Sequence, residues 1–387
     1  MRISIISPDL SINCLGRAHL LAGILRRRYE VEIVGPAFGG AVWPPVADDG
    51  GMTYRCVDFR GRLRPFLRLH GLFREITGDV IYASKPFLTS YGLALIKSRL
   101  RHIPLVLDID DWEIGSIREH YRNLSTAGRL RYLAGSTLLP YKMGSYWNIG
   151  LHEKLVPRAD GITVSNRFLQ VRYGGELVWH ARDTDAFHPG KYDGDVARSK
   201  MGIDAGRKVV IFLGTPRPSK GLEDAIEAVR MLGGREVMLI IAGMGRDGYS
   251  LGLEEKARRA LGEGFRSFGM LPFGSLPEFL AMADAVVIPQ RSNPATVGQL
   301  PAKVFDAMAM ARPIVATGVS DLPEILDGCG WIVEPGSPLE LSSAIGYVLD
   351  NPAEAAERGL RARRKCIEKY SWDAMEKVLV DIFKKYE

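Results

Sequence analysis

Pro301-Ala302-Lys303-Val304-Phe305-Asp306-Ala307-Met308-Ala309-Met310-Ala311-Arg312-Pro313 is the stretch on which the reading of this chain turns. An apolar strand-like run, Ala285-Val286-Val287-Ile288-Pro289, precedes it. Between the two lies a loop of mostly small residues, Ser292-Asn293-Pro294-Ala295-Thr296-Val297-Gly298-Gln299, closed by Leu300. A strand, a loop and a helix opened by proline present backbone N–H groups to an anion. Lys303 falls in the first turn of that helix and Asp306 one turn later. A cation and the helix dipole suit a pyrophosphate, and the carboxylate suits a ribose hydroxyl pair. The expectation is a nucleotide-sugar site.

Working outward, the second half of the chain restarts as the first began. Arg2–Ser7 reads as a buried strand, a helix pattern runs from about Gly16 to Arg28, and Glu30–Val34 gives the next strand. Lys208–Gly214 is again a strand, followed by a helix over about Leu222–Leu232 and a strand at Val237–Ala242. Further strands are expected at Val80–Ala83, Leu105–Ile109 and Gly161–Val164, then at Arg266–Phe268, Ala285–Ile288, Ile314–Ala316 and Trp331–Val333. Continuous apolar strands alternating with amphipathic helices predict parallel sheets covered on both faces. The polar segment His180–Arg207 is the expected linker. The chain therefore reads as an α/β protein of two Rossmann-like domains, residues 1–190 and 191–370. A last helix in 371–387 is placed to cross back to the first. Ligands in such sheets sit beyond the carboxyl ends of the strands, so a cleft between the domains is the expected site.

The totals agree with this. At 387 residues the chain is long for one core. Hydrophobic residues at 46% and charged residues at 25% exclude broad disorder. A net charge of +6 favours an anionic partner: nucleotide, nucleic acid or membrane surface. Cys14, Cys56, Cys329 and Cys366 form no C-x-x-C pair and read as reduced, structural thiols of a cytoplasmic protein, with no zinc site implied. The opening Met1–Pro8 reads as a strand and not a signal peptide, and no apolar stretch is long enough to span a membrane.

Gly214-Thr215-Pro216-Arg217-Pro218-Ser219-Lys220-Gly221 lies where the first strand of the second domain meets its first helix. Arg217 and Lys220 place two cations on a glycine-bounded loop, the one binding phosphate as a fork and the other as a point charge. A solvated loop that happens to carry two cations is the plain alternative. A second glycine turn, Ala242-Gly243-Met244-Gly245, follows the next strand, without the full dinucleotide fingerprint.

In this order, followed by the Pro301 segment and by Ile314-Val315-Ala316-Thr317 with Leu322-Pro323-Glu324-Ile325, these stretches resemble the retaining GT-B glycosyltransferases of the large family-4 type (glycosyl transferases group 1). Ala159–Ser165 resembles the last strand of that family's N-terminal domain, Asp183–Pro189 its hinge and Tyr370-Ser371-Trp372 its closing helix. The resemblance implies a GT-B fold, two Rossmann-like domains facing across a cleft, and a retaining transferase that works without a metal or other cofactor. It implies that Arg217 and Lys220 hold the donor diphosphate and act catalytically on its departure. Asp306 matches the second glutamate of the family's E-x7-E motif, which contacts ribose. The first glutamate falls at Gly298, which has no side chain. Backbone N–H groups around Val297, Gly298 and Gln299, or else the Lys303 and Gln299 side chains, are the expected substitutes, and Thr296 and Leu300 are also counted among the donor-binding residues. Met270-Leu271-Pro272 occupies the place where relatives hold the base.

On the acceptor side, Leu15-Gly16-Arg17 matches the loop where the family has a glycine pair beside the reacting sugar. Gly16 reads as a diphosphate neighbour or as a helix cap. Asp108-Ile109-Asp110-Asp111-Trp112 ends an apolar strand, with Asp110-Asp111 where many relatives have a His-Asp pair. These carboxylates raise one another's pKa or bind acceptor hydroxyls, or else cap a helix as an exposed acidic turn. Asp110 and Asp111 are taken as catalytic.

Two basic segments remain. Arg60–Arg74 repeats Arg60, Arg64 and Arg68 at four-residue spacing with Phe66, Leu69 and Phe73. It suits an anionic membrane or, preferred, a cover helix with a solvated cationic face. In Arg118–Trp147, Arg118, Arg122, Arg129, Arg131 and Lys142 alternate with Tyr121, Tyr132, Tyr141, Tyr146 and Trp147. Here a membrane or lipid-acceptor role is preferred. No nucleic-acid-binding pattern accompanies either. The expected donor is a UDP- or GDP-linked sugar, and the expected acceptor a saccharide or lipid-linked saccharide. The expected location is cytoplasmic, peripheral on the inner face of the cell membrane. A GT-B nucleotide-sugar epimerase and a catalytically inactive sugar-nucleotide-binding protein are the alternatives.

Overall fold

The computed structural model describes residues 1–47, 51–60, 65–138, 143–233 and 236–387. These form two compact units, Met1–His180 with Met375–Glu387, and Ala181–Ala374.

The first unit is built on a seven-stranded sheet: β1 (Arg2–Ile6), β2 (Glu30–Ala37), β3 (Thr53–Asp58), β4 (Val80–Ser84), β5 (Leu105–Ile109), β6 (Gly161–Val164) and β7 (Glu176–Leu177). Every pairing is parallel and the spatial order is β3-β2-β1-β4-β5-β6-β7. β4 and β5 are buried along their whole length and are apolar apart from Ser84 and Asp108. Sequence alone predicts neither β3, which is largely half-exposed, nor the two-residue β7. Both are edge strands that bury little.

The second unit has a six-stranded parallel sheet: β8 (Lys208–Leu213), β9 (Val237–Ala242), β10 (Phe265–Phe268), β11 (Ala285–Ile288), β12 (Ile314–Thr317) and β13 (Trp331–Val333). Its order is β10-β9-β8-β11-β12-β13. The expected strands appear here within a residue of their predicted limits. The segment expected to be a linker contains a helix, Gly194–Lys200, whose first amides are capped by Asp193.

The chain's last helix, Trp372–Phe383, buries Leu379, Ile382 and Phe383. The Phe383 ring lies 5.2 Å from that of Tyr82 on β4, so from Met375 onward the chain packs in the first unit. Burying a phenylalanine this completely contributes roughly 1.5–3 kcal/mol.

The helix expected to open at Pro301 begins at Lys303 and runs to Ala309. The helix-opening proline is instead Pro294, in the short Pro294–Val297 helix capped by Asn293. The Pro65–Glu75 helix covers the first sheet through buried Leu72 beside the half-buried Leu69, and Arg60 pairs with Asp58 at 2.8 Å. That is the cover-helix reading. Of the basic segments, Gly61–Arg64, Tyr141 and Lys142 lie outside the described residues, as does the Phe66 side chain. All four cysteines are free thiols. Among the described residues no helix is long and apolar enough to cross a membrane.

Candidate functional site

Each sheet reverses its strand order once, and loops leaving the carboxyl ends on either side of that point diverge to open a crevice. In the second unit the crevice lies between β8 and β11. Gly214 follows β8 at φ 126°, and Gly243 follows β9 at φ 106°. Both lie in a region that favours glycine. A Cβ on Gly243 would stand 2.6 Å from the Gly214 carbonyl carbon, and one on Gly214 would meet Lys303 Nζ. The two glycine turns are therefore in backbone contact.

Two cations converge beside them. Lys220 ends the Pro218–Lys220 turn and donates to Gln290 Oε1 at 3.2 Å and to Gln299 Oε1. Lys303 holds its Nζ 4.2 Å above the Phe212 ring. No carboxylate pairs with Lys303 among the described residues. Burial, and then the charge of Lys220, push its ammonium pKa well below the ordinary lysine value, against a smaller opposing pull from Asp306. Two partly desolvated ammonium groups flanked by neutral amides and glycine backbone are complementary to a diphosphate. Arg217 is exposed on the same loop, and its side chain has no partner among the described residues.

Gln290 escaped the sequence reading. It is 1% exposed and lies two residues past the end of β11, after Pro289. Its Nε2 donates to the carbonyls of Thr296 at 3.3 Å and Gln299 at 3.4 Å, while its own carbonyl accepts from Thr317 Oγ1 at 2.6 Å. This one side chain ties Lys220 to the 292–299 loop. A polar residue closing the apolar run Ala285–Pro289 was the available signal.

The loop itself departs from expectation. Thr296 Oγ1 donates to the Arg291 carbonyl at 2.6 Å and completes a capping box with Asn293. The Val297 amide bonds Asn293 and the Gln299 amide bonds Thr296, so neither N–H is free to replace the missing glutamate. Gly298 is buried at φ −91°, a conformation any residue adopts. Leu300 is core. The amides of Val304 and Phe305 close tight turns onto Pro301 and Ala302, so the expected mouth of free helix amides is narrower than the sequence implied. Side-chain cations carry the site instead.

Asp306 is buried and forms an ion pair with Arg182 Nε through Oδ1. Arg182 in turn exchanges backbone bonds with Tyr370 and Trp372. Any ribose contact by Asp306 therefore falls to its other oxygen. Gly245 packs beside Asp247 and Ser250 at the start of the Gly248–Leu261 helix. Met270 and Leu271 follow edge strand β10, separated from β8 by β9.

In the first unit the order reverses between β1 and β4. Lys85 follows β4 at φ 65°, a strained conformation for a lysine. Its buried Nζ lies 2.8 Å from Asp110, 2.6 Å from Asp111 and 2.7 Å from Glu113. Burial above all, then Asp111 and Asp108, push the Asp110 carboxyl up to about 7, against the opposing pull of Lys85. Asp108 belongs to a different pairing: Arg17 donates to both its oxygens, at 3.0 and 2.8 Å, and to the carbonyls of Val178 and Trp179. The acidic run thus splits into a structural Asp108 and a lysine-bridged Asp110–Asp111 pair. Neither an exposed turn nor three equivalent carboxylates describes it. Gly16 sits in the first turn of the Leu15–Leu25 helix, with Cys14 as the cap. It is neither a loop nor a cap residue. Among the described residues no group of three or more His, Cys, Asp or Glu side chains is placed to hold a metal ion.

Residues 207–351 match the family described as glycosyl transferases group 1. The alpha-maltose-1-phosphate synthase of Mycobacterium tuberculosis is 27% identical over 54% of this chain and 56% of its own length. A GDP-mannose-dependent alpha-(1-6)-phosphatidylinositol monomannoside mannosyltransferase of Mycolicibacterium smegmatis is 28% identical over 55% of this chain and 59% of its own length. The chain thus spans little more than half the length of these curated relatives. Among solved structures, Anabaena Alr3699/HepE in complex with UDP-glucose superposes with a TM-score of 0.78 at 17% identity, each chain covered fully. The sucrose-phosphate synthase of Thermosynechococcus elongatus gives 0.71 at 16%, with 100% and 98% covered. The chain has the fold of the GT-B glycosyltransferase structures, and its residues 207–351 carry a glycosyl transferases group 1 domain.

Proposed function

We propose that this chain moves a sugar from a UDP- or GDP-linked donor to a hydroxyl of a saccharide or lipid-linked acceptor, with retention at the anomeric carbon. The convergence of Lys220 and Lys303 on Gly214 at the β8–β11 crevice carries this reading. In the reaction the bond from the anomeric carbon to the diphosphate oxygen breaks and a bond to the acceptor oxygen forms. The acceptor proton passes to the departing phosphate. Lys220, Lys303 and Arg217 stabilise the charge that develops there, in the role a metal ion plays elsewhere, and no other cofactor is part of the proposal. Asp110 and Asp111, oriented by Lys85, hold the acceptor hydroxyl. A part in cell-surface polysaccharide or glycolipid assembly, from a cytoplasmic position on the inner face of the membrane, belongs to the same proposal. The UDP-glucose bound by the Anabaena protein and the GDP-mannose dependence named for the mycobacterial relative support the donor class.

The test is donor turnover by Lys220→Ala and Arg217→Ala variants that remain folded. Loss of one such electrostatic group lowers kcat by about 10²–10³, and near-normal turnover in both refutes the diphosphate site. A second reading rests on Gly298, which puts no side chain where the resemblance places a glutamate: a protein that binds sugar nucleotides without transferring them. Calorimetric donor binding with no transfer to any of a panel of acceptors would establish it.

A further inference from the structure

The Thr126–Leu138 helix is built the wrong way round for a cover helix. Only Ser136 is buried along its length. At 100° per residue, Leu130, Ala134, Ala127 and Leu138 fall within one arc of the helix, with Arg131 at its edge. All five are exposed, Leu130 to 68% and Leu138 to 78%. The arc continues onto the next helix, Tyr146–Leu155. Trp147 Nε1 donates to Thr137 Oγ1 at 3.1 Å, which ties the indole to the Thr126–Leu138 helix, and Leu151 lies one turn further along. Trp147 is 51% exposed and Leu151 56%.

Charge singles out the same surface. From His120 to His152 the sequence contains no aspartate or glutamate, yet it carries Arg122, Arg129, Arg131 and Lys142. On other helices several exposed arginines pair with a glutamate one turn away, as Arg230 does with Glu227, Arg258 with Glu254 and Arg259 with Glu255. Arg118, Arg122, Arg129 and Arg131 have no carboxylate partner among the described residues. Arg129 instead lies 5.4 Å from the Tyr121 ring centre and donates to the carbonyls of Tyr121 and Arg122.

We infer that the exposed face of this acid-free segment, with Leu130, Leu138, Trp147 and Leu151 and with arginines that have no carboxylate partner among the described residues, docks on the surface of an anionic lipid bilayer. Leucines enter the boundary between headgroups and acyl chains, the indole sits at headgroup level and arginines reach the lipid phosphates. A second copy of the chain is a poor occupant, because a two-fold contact through this face sets the same unpaired cations against each other. Nucleic acid accounts for the arginines but not for exposed leucines. The inference rests on the lipid-linked-acceptor reading only for its purpose, since docking is measured without donor or acceptor.

The experiment is co-sedimentation of the full chain with vesicles of phosphatidylcholine alone and with 30% (on the order of the charge of an anionic leaflet) phosphatidylglycerol. Binding is expected only to the charged vesicles, weakening as salt rises. The Leu130→Asp/Leu138→Asp and Trp147→Asp variants should bind about tenfold or more weakly, with melting temperature and donor turnover unchanged. Arg122→Glu/Arg131→Glu should do the same through charge alone. Equal binding to neutral vesicles, no binding to charged ones, or full binding by the leucine variant overturns the inference. So does a concentration-dependent dimer that the leucine variant abolishes, or vesicle binding that an oligonucleotide displaces completely. Near-normal donor turnover in the Lys220→Ala and Arg217→Ala variants, with vesicle binding intact, would sink the transfer reading alone.

Discussion

Lys303 Nζ stands 4.2 Å above the ring of Phe212, near the carboxyl end of β8, where it also feels the charge of Lys220. A desolvated cation over an aromatic ring gains about 2 kcal/mol, which offsets part of the cost of holding it out of water. The folded-state pKa of Lys303 lies below its unfolded value. Between the two the unfolded chain binds more protons, so stability rises with pH across that window and the charged lysine costs stability beneath it. Lys303→Met keeps the stem and removes that cost. The variant is expected to melt no lower than the parent at pH 7 and to lose the thermal shift given by a nucleoside-diphosphate sugar.

Asp110 has the opposite sign. Its carboxyl is pushed up to about 7, so between the ordinary aspartate range and about pH 7 the folded state holds the extra proton. Stability therefore falls as pH rises through that window, and the penalty is fully present above it. Asp110→Asn should flatten this slope, gaining on the parent at pH 8 relative to pH 5 in urea unfolding. If Asp110 receives the acceptor hydroxyl, kcat/KM for the acceptor should rise through an apparent ionisation near 7 that the variant lacks.

Arg17 and Asp108 are fully buried together, and Asp108 also accepts from Thr163 Oγ1 at 2.8 Å. Arg17→Met leaves a charged carboxylate inside the first unit and strands the Val178 and Trp179 carbonyls. Breaking a buried pair from one side costs about 3–5 kcal/mol. Chemical denaturation should show that loss, and the Arg17→Met/Asp108→Asn double variant should recover part of it. Equal loss in the double variant would mean that the carbonyl contacts, and not the charge pair, hold the residue.

The two sheets were readable because their central strands are buried on both faces. Val209–Leu213 and Val237–Ala242 show unbroken apolar runs that few other structures produce. Thr53–Asp58 was missed because an edge strand alternates weakly, and Glu176–Leu177 because two residues carry no period. At the candidate sites the loops were visible but the pairings were not. Lys85 reads as a lysine ending a strand, and nothing local says that Asp110, Asp111 and Glu113 will surround it. Arg182 meets Asp306 across 124 positions, and Lys220 meets Gln299 across 79. Such partners are fixed by the order of strands in a sheet, so they become legible only after the topology is known. The loop amides failed for a related reason. A short turn satisfies its own N–H groups, and sequence does not say which remain free.

The contact between Gly214 and Gly243 yields the sharpest mutational contrast. At φ 106° an L side chain is strained by about 1–3 kcal/mol, and the new Cβ would also press on the Gly214 carbonyl, with the oxygen only 2.7 Å away. Because both neighbours are backbone, no side chain can swing aside, and relief requires the β8 and β9 turns to separate. Gly243→Ala should therefore lower the melting temperature and weaken donor binding, since Lys303 Nζ packs against Gly214. Gly252, inside the Gly248–Leu261 helix with no heavy atom within 4 Å of its would-be Cβ, supplies the control. Gly252→Ala should stabilise by about 1 kcal/mol and leave donor binding untouched. A Gly243→Ala protein whose donor-induced thermal shift matches the parent's would show that the diphosphate does not rest on this pair of turns.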